Sequence, residues 1–199
     1  AIPESMPAVI TIIMSLGIAK LSKQKAIVKR MHAVETLGAC DIICSDKTGT
    51  ITQNKMKVEK EFTFFKKNSA EYDLFLKSMV LCNDAVLGEK GYVGGSTEVA
   101  LLNFAETNGA NKTECDKKYA RLDEISFNSQ RKMMSTLNEV DGKKICFMKG
   151  ALDRVLKKCK FYLTDHGAMP LDEITKAQIL SQNKKMCDNA LRVISFAYK

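Results

Sequence analysis

Residues 39–52 read ACDIICSDKTGTIT, and this stretch decides the fold class. Residues 39–45 form a short, mostly apolar, β-prone run that stops at Asp46, Lys47, Thr48, Gly49 and Thr50, the pattern of a buried parallel strand feeding a loop. Open α/β sheets place ligands at the carboxyl ends of such strands. A carboxylate there, with Mg²⁺ beside it, can attack a phosphoryl group. The metal cancels repulsion between two anions, and fixed geometry replaces a bimolecular encounter. Gly49 lets backbone N–H groups approach phosphate oxygens, and the threonine hydroxyls donate to them. On residue type alone, Asp-Lys-Thr after a strand also fits an ordinary turn with a salt bridge.

The composition is globular. The chain has 199 residues, 31 Lys+Arg against 23 Asp+Glu for a net charge of +8, 45% apolar residues and no Trp, which excludes collagen-like, low-complexity and strongly disordered classes. The basic residues are dispersed and lack aromatic interleaving, so no nucleic-acid partner is expected. The cysteines at 40, 44, 82, 115, 146, 159 and 187 form no C-x-x-C pair. That pattern suggests neither a disulfide framework nor a zinc ribbon and points to a reducing compartment. His32 and His166 lie near no cysteine or acidic cluster with ligand spacing, so no zinc site is predicted.

Upstream, residues 1–19 (AIPESMPAVITIIMSLGIA) carry one charge, Glu4, and a helix of that length at about 1.5 Å per residue reaches nearly the thickness of a bilayer's hydrocarbon core. Lys20, Lys23, Lys25, Lys29 and Arg30 follow with no acidic residue among them, as the positive-inside rule expects on the cytoplasmic side. A buried helix of a soluble protein is the alternative. The start has no initiator Met, basic leader or small-residue cleavage site and reads as a cut piece. Pro3 and Pro7 bracket Glu4; prolines free backbone carbonyls, and an intramembrane carboxylate is costly unless it binds something, so a cation site is predicted.

Downstream, from about Met56, the pattern becomes α+β. Residues 58–65 and 192–198 read as strands, and 72–83, 96–106 and 174–190 as helices, with Ser96 as an N-cap. Residues 86–95, with four glycines, read as a loop that lacks P-loop spacing. Asp141-Gly142 between 133–138 and 145–149 predicts a hairpin. Leu152, Val155, Leu156 and Cys159 recur at helical spacing.

Residues 46–52 (DKTGTIT) resemble the phosphorylation motif DKTGTLT of P-type cation-transporting ATPases, with Ile51 for leucine. Residues 2–7 (IPESMP) resemble the family's IPEGLP in its fourth membrane helix, and 33–38 (AVETLG) the stretch before the phosphorylated strand. Four further landmarks occur in family order: Ser96-Thr97-Glu98 with Ala100-Leu101-Leu102, residues 127–135 (FNSQRKMMS), Lys149-Gly150-Ala151, and Leu191-Arg192-Val193. Ser5, Met6, Ser96 and Leu152-Asp153 depart from the family pattern.

The resemblance implies an α/β fold: a partial haloacid-dehalogenase-like, Rossmann-like phosphorylation domain with an inserted α+β nucleotide-binding domain and an N-terminal transmembrane segment. The implied boundaries are 1–23 for the membrane segment, 24–55 for the phosphorylation domain and 56–199 for the nucleotide-binding domain. Asp46 would take the γ-phosphoryl group of ATP, with Lys47 and Thr48 near the phosphate and Mg²⁺ held in part by Asp46 and the Thr48 carbonyl. Soluble phosphatases on this sheet usually carry a second aspartate two residues after the nucleophile; here Thr48 stands there, so the acyl phosphate is expected to persist. Phe127 would stack on adenine, Glu98 contact the base side, Lys132, Lys149 and Gly150 border the pocket, and Arg192 reach a phosphate. Glu4 and Ile2 would ligate the transported cation.

The family's later TGDG..ND motif and its TGE-bearing actuator domain do not occur in the sequence, so the chain reads as a fragment of a multi-pass membrane pump, lying mostly on the cytoplasmic face. By itself it is expected to bind nucleotide without turning it over. Residues before about Lys55 are expected to pack less stably, because an unfinished sheet leaves open edges. The cation is read as Ca²⁺, with Na⁺, K⁺ or H⁺ as the alternative. A soluble dehalogenase-like phosphatase is the alternative enzyme.

Overall fold

The computed structural model describes residues 5–89 and 91–199. Ile2 and Glu4, read as cation ligands, lie outside the described residues. The chain divides into two compact units, Ala1–Gln53 and Asn54–Lys199.

The first unit opens with helix α1, Met6–Lys23. Pro7 sits in its first turn, where the missing N–H costs nothing because that donor would be orphaned anyway. Thr11 and Ser15 donate their hydroxyls to the carbonyls of Pro7 and Thr11, both at 2.8 Å, which satisfies polar groups inside an apolar helix. Lys20 and Lys23 occupy the last turn, on the negative end of the helix dipole. α1 is long and apolar enough to cross a bilayer, with mean hydropathy 1.4 and none of it buried. Helix α2, Ala33–Gly38, follows, and Val34 approaches α1 at Gly17.

Residues 39–45 do not form the strand expected of them. They carry no ladder among the described residues, and Ile42 and Ile43 are 79% and 81% exposed. An apolar β-prone run becomes a strand only when neighbours take its N–H and C=O groups, and among the described residues none pairs with it. No described residue of this unit is buried.

The second unit is built on an antiparallel four-stranded sheet in the order β3-β4-β5-β8, where β3 is Arg121–Asn128, β4 Met133–Val140, β5 Lys143–Gly150 and β8 Ser195–Tyr198. The β4–β5 hairpin closes as the sequence predicts. Asp141 and Gly142 both take left-handed φ, 50° and 77°, which a two-residue turn with the right strand twist requires. On one sheet face Met134, Phe147 and Val140 pack with Ile145 and Phe196 against helices α3 (Ala70–Leu81) and α4 (Ser96–Thr107).

Helix α3 starts at Ser69, whose hydroxyl accepts from the Tyr72 N–H at 3.1 Å, one of the donors a helix start leaves unpaired. Its other end is held by two cations. Arg121 donates to the carbonyls of Leu81 and Asn83 at 2.8 and 2.7 Å, and Lys112 to those of Val80 and Asn83 at 3.3 and 3.4 Å. Carbonyls at a helix C-terminus carry partial negative charge, and cations there neutralise it. Lys112 opens helix α5, Lys112–Lys118.

Several expected elements differ. Residues 58–65 carry no ladder beyond a single parallel bridge from Phe64 to Thr164. Residues 86–95 hold a short hairpin, β1 (Val86–Gly88) with β2 (Gly91–Val93). Gly95, not Ser96, caps α4. The helix from Leu152 is one turn, α6 (Leu152–Val155), continued by a 3₁₀ turn. Hairpin β6 (Phe161–Thr164) with β7 (Gly167–Pro170) precedes α7 (Glu173–Asp188). All seven cysteines are free.

Buried Tyr72 donates its hydroxyl to Glu61 at 2.9 Å, and burial, reinforced by that carboxylate, pushes its phenol from 10.0 up to about 12. A raised folded-state value means this contribution to stability is complete below pH 10.0 and disappears as the pH climbs to about 12. Unfolding free energy should therefore fall more steeply across that window in the wild type than in Tyr72→Phe, as chemical denaturation at several pH values would measure.

Candidate functional site

The Asp46 loop is shaped by its own backbone. Asp46 is extended and its Oδ1 accepts the N–H of Thr48 at 3.4 Å, which leaves Oδ2 without an intramolecular donor among the described residues. Thr52 closes the loop: its N–H and hydroxyl both donate to the carbonyl of Lys47, at 3.0 and 3.2 Å. Gly49 takes φ +80° at the apex, a left-handed conformation that a side chain would strain. Asp46 and Lys47 are exposed, so the loop offers a carboxylate and an ammonium to solvent from a fixed turn.

In the second unit the expected nucleotide residues are linked by direct contacts. Lys149 lies on β5, opposite Met134 of β4 and Phe196 of β8, and is only 7% exposed. Its ammonium reaches across to α4 and pairs with Oε1 of Glu98 at 2.5 Å. A buried ammonium requires such a partner. Oε1 of Glu98 also accepts the backbone N–H of Asp84 at 3.3 Å, and the Glu98 carbonyl accepts the side-chain amide of Asn83 at 3.1 Å. The α3 C-terminus thus positions the carboxylate that positions the lysine.

Gly150 follows Lys149 at a point where two chains touch. A Cβ there would stand 2.5 Å from the carbonyl oxygen of Lys132 and 2.6 Å from Cγ of Met133, so only glycine fits. The Ala151 N–H donates to the same Lys132 carbonyl at 3.0 Å. Lys132 takes φ 54° in the turn between β3 and β4, which bends this chain onto β5. Arg192 donates to the hydroxyl of Thr97 at 3.2 Å, one residue from Glu98.

Phe127 lies near the end of edge strand β3 with its side chain 63% exposed. Glu98, Lys149, Gly150, Lys132 and Arg192 are therefore joined through one set of contacts, and Phe127 lies five residues from Lys132 beyond the turn. Asn83, Asp84 and Thr97 complete the arrangement and were not singled out from sequence. Thr97 falls inside a quoted landmark, but nothing local marks Asn83 and Asp84.

Cys82, fully buried, is no nucleophile: burial pushes its thiol up, against the opposing pull of the Lys149 charge. A cavity of about 1210 Å³ runs beneath residues 55–65 and touches Thr97 and Arg192, but not Phe127, Lys132 or Lys149. Its walls are mainly aliphatic and aromatic, with Lys55, Lys57, Lys60, Lys158, Lys160 and Arg192 among the polar residues that line it.

The family model described as "P-type ATPase, cytoplasmic domain N" matches residues 71–199. The chain belongs to the P-type ATPases. It is 41% identical over its whole length to "Calcium-transporting ATPase 1" of Bacillus cereus, of which it covers 23%. It is 40% identical, again over its whole length, to "Calcium-transporting ATPase 1" of Lactococcus lactis, covering 24% of that protein. Over 99% of the chain it is 33% identical to human "Calcium-transporting ATPase type 2C member 1", also covering 24%. The chain thus spans about a quarter of the length of these P-type ATPases. Its α+β second unit is consistent with the nucleotide-binding domain of the family.

Gly150→Ala should destabilise the second unit by about 1–3 kcal/mol, because the new methyl forces the β3–β4 turn away from β5. Binding of a fluorescent nucleotide analogue should weaken in parallel, whereas Gly142→Asn, at a turn that tolerates left-handed asparagine, should leave binding unchanged.

Proposed function

We propose that this chain is a segment of an ATP-driven cation pump that stores phosphate on Asp46, and that the cation is Ca²⁺. The observation that carries the reading is the linkage of residues far apart in sequence around the start of α4: Lys149 with Glu98, Arg192 with Thr97, and Gly150 with Lys132. An exposed aromatic ring nearby and a set of cations suit a flat base attached to a polyphosphate. The chemistry of transfer belongs to the first unit, which we assign to a haloacid-dehalogenase-like phosphorylation domain.

In this mechanism Phe127 stacks on adenine, Glu98 faces the base side, and Lys132, Lys149 and Gly150 border the pocket. Arg192 donates to a phosphate. Asp46 attacks the γ-phosphorus through its free carboxylate oxygen. The new P–O bond to Asp46 forms as the bond to the β-phosphate bridging oxygen breaks, and ADP departs with that electron pair. Lys47 and the Thr48 hydroxyl offset charge on the phosphoryl oxygens. Asp46 and the Thr48 carbonyl are hard oxygen donors two residues apart, which fits Mg²⁺, an ion usually held by one or two carboxylates together with substrate phosphates. Mg²⁺ there would neutralise the approaching anions.

Thr48 stands where a water-activating aspartate would shorten the life of the acyl phosphate, so the intermediate outlasts a conformational change. α1 is the membrane segment, its basic C-terminal end on the cytoplasmic side, and Glu4 with Ile2 contributes to the cation site. The names of the relatives support Ca²⁺ over another cation.

The test is phosphorylation of the full-length pump by γ-labelled ATP. Acid-stable label should appear only with Ca²⁺ present and vanish in Asp46→Asn, while Lys149→Ala should shift labelling to higher ATP concentration by about tenfold or more. Label that survives Asp46→Asn would exclude the phosphoenzyme assignment. Ca²⁺ dependence unchanged in Glu4→Gln would remove Glu4 from the ion site, and activation by another cation alone would replace Ca²⁺.

A further inference from the structure

The turn between β3 and β4 faces a second cluster of cations. Gln130, Arg131 and Met133 from the turn and Arg154, Lys157 and Lys158 from the α6 segment line an open pocket of about 450 Å³. Four of these six side chains are cationic and none is acidic. Nη1 of Arg131 is buried and has no hydrogen-bond partner among the described residues, while Nη2 donates to the hydroxyl of Ser135 at 3.5 Å. Among the described residues, the ion pair these cations make is between Nε of Arg154 and Asp153, at 3.4 Å, and Asp153 is itself well exposed. Lys157 and Lys158 make no ion pair among the described residues.

The pocket is distinct from the nucleotide residues. Met133 pairs with Gly150 and Met134 with Lys149, and successive strand side chains point to opposite faces. The pocket therefore lies on the face opposite Lys149.

Its geometry is fixed in advance. The side chain of Asn128 accepts the N–H groups of Gln130 and Arg131 at 2.8 and 3.3 Å, and its carbonyl accepts that of Lys132 at 2.7 Å. The Ala151 N–H to Lys132 carbonyl bond then ties the start of α6 to this turn. Four like charges converge on one concavity, and a guanidinium donor is withdrawn from water with nothing to accept from it; both are unfavourable until an anion is supplied.

We infer that this pocket binds a phosphate-bearing anion, free or as a lipid headgroup, separately from the nucleotide. Two guanidinium forks suit the oxygens of a phosphate, and the two flanking ammonium groups favour a ligand carrying several charges, such as a pyrophosphate or bisphosphate.

The experiment is calorimetric titration of the 199-residue chain with pyrophosphate at low salt, in the presence of a saturating non-hydrolysable ATP analogue. Arg131→Gln should weaken pyrophosphate binding about tenfold or more, as should the exposed double variant Arg154→Gln/Lys157→Gln, with affinity falling steeply as salt is added. Circular dichroism of each variant reports whether it folds, and the double variant keeps the test decisive if Arg131→Gln does not. Phe127→Ala should leave pyrophosphate binding unchanged while weakening the analogue, which separates this site from the nucleotide reading.

Flotation with phosphatidylcholine vesicles, with and without phosphatidylinositol bisphosphate, distinguishes the sources. A headgroup-dependent gain lost in the double variant, without binding of soluble pyrophosphate, identifies a lipid ligand. Equal affinity of wild type and both variants for both probes would overturn the assignment, as would no binding of either.

Discussion

A lysine ammonium that is only 7% exposed, on a sheet face otherwise packed with Met134, Phe147 and Phe196, must be neutralised where it lies. Glu98 does this from α4. Because a buried ion pair gains only when its remaining lone pairs are also engaged, the carboxylate must be held from behind, and the backbone N–H of Asp84 holds it. That N–H sits just past the end of α3, so the site depends on where that helix stops. Arg121 and Lys112 set the stop by binding the last carbonyls. Arg121 also pairs with Asp84 and Glu124 at 2.8 and 2.7 Å, hydrogen bonds that raise its affinity for a proton against the opposing effect of burial. The order of constraint therefore runs from a helix cap, through a loop N–H, to a carboxylate and then to the lysine.

The same logic explains why small residues cluster around the site. Gly94 meets Ala85 so closely that a Cβ would lie 2.6 Å from the alanine methyl, which lets the β1–β2 hairpin fold back onto the loop carrying Asn83 and Asp84. Gly150 does likewise for β5 and the β3–β4 turn. At both points two backbones approach to within a methyl group, and the charged side chains beside them inherit that fixed spacing. Positional accuracy in this unit comes from missing side chains as much as from hydrogen bonds.

What could be read from sequence followed the range of the forces involved. The Asp141-Gly142 hairpin was legible because its turn chemistry is contained in two residues. The landmarks resembling the family pattern were legible as residue types in order, and contacts between them such as Lys149 to Glu98 are long-range facts that only the fold supplies. β3 gave no alternation because it is an edge strand with Arg121, Asp123 and Glu124 along it and every residue exposed, charges that also discourage further pairing. The four glycines of 86–95 hid the β1–β2 hairpin. Residues 39–45 and 58–65 were read as strands from β-prone composition, yet composition supplies no partner, and a strand is defined by one.

That contrast separates two levels at Asp46. The loop is encoded locally: the Thr48 N–H on the carboxylate, the Thr52 donors on the Lys47 carbonyl and a left-handed Gly49 all fall within seven residues. These contacts hold although residues 39–45 make no ladder. Ile42 and Ile43, mostly exposed, could each contribute about 1.5–3 kcal/mol if buried, so the hydrophobic drive to make a strand is present without a surface to accept it. The geometry of the Asp46 turn is thus set by contacts within the loop itself and does not require residues 39–45 to be paired.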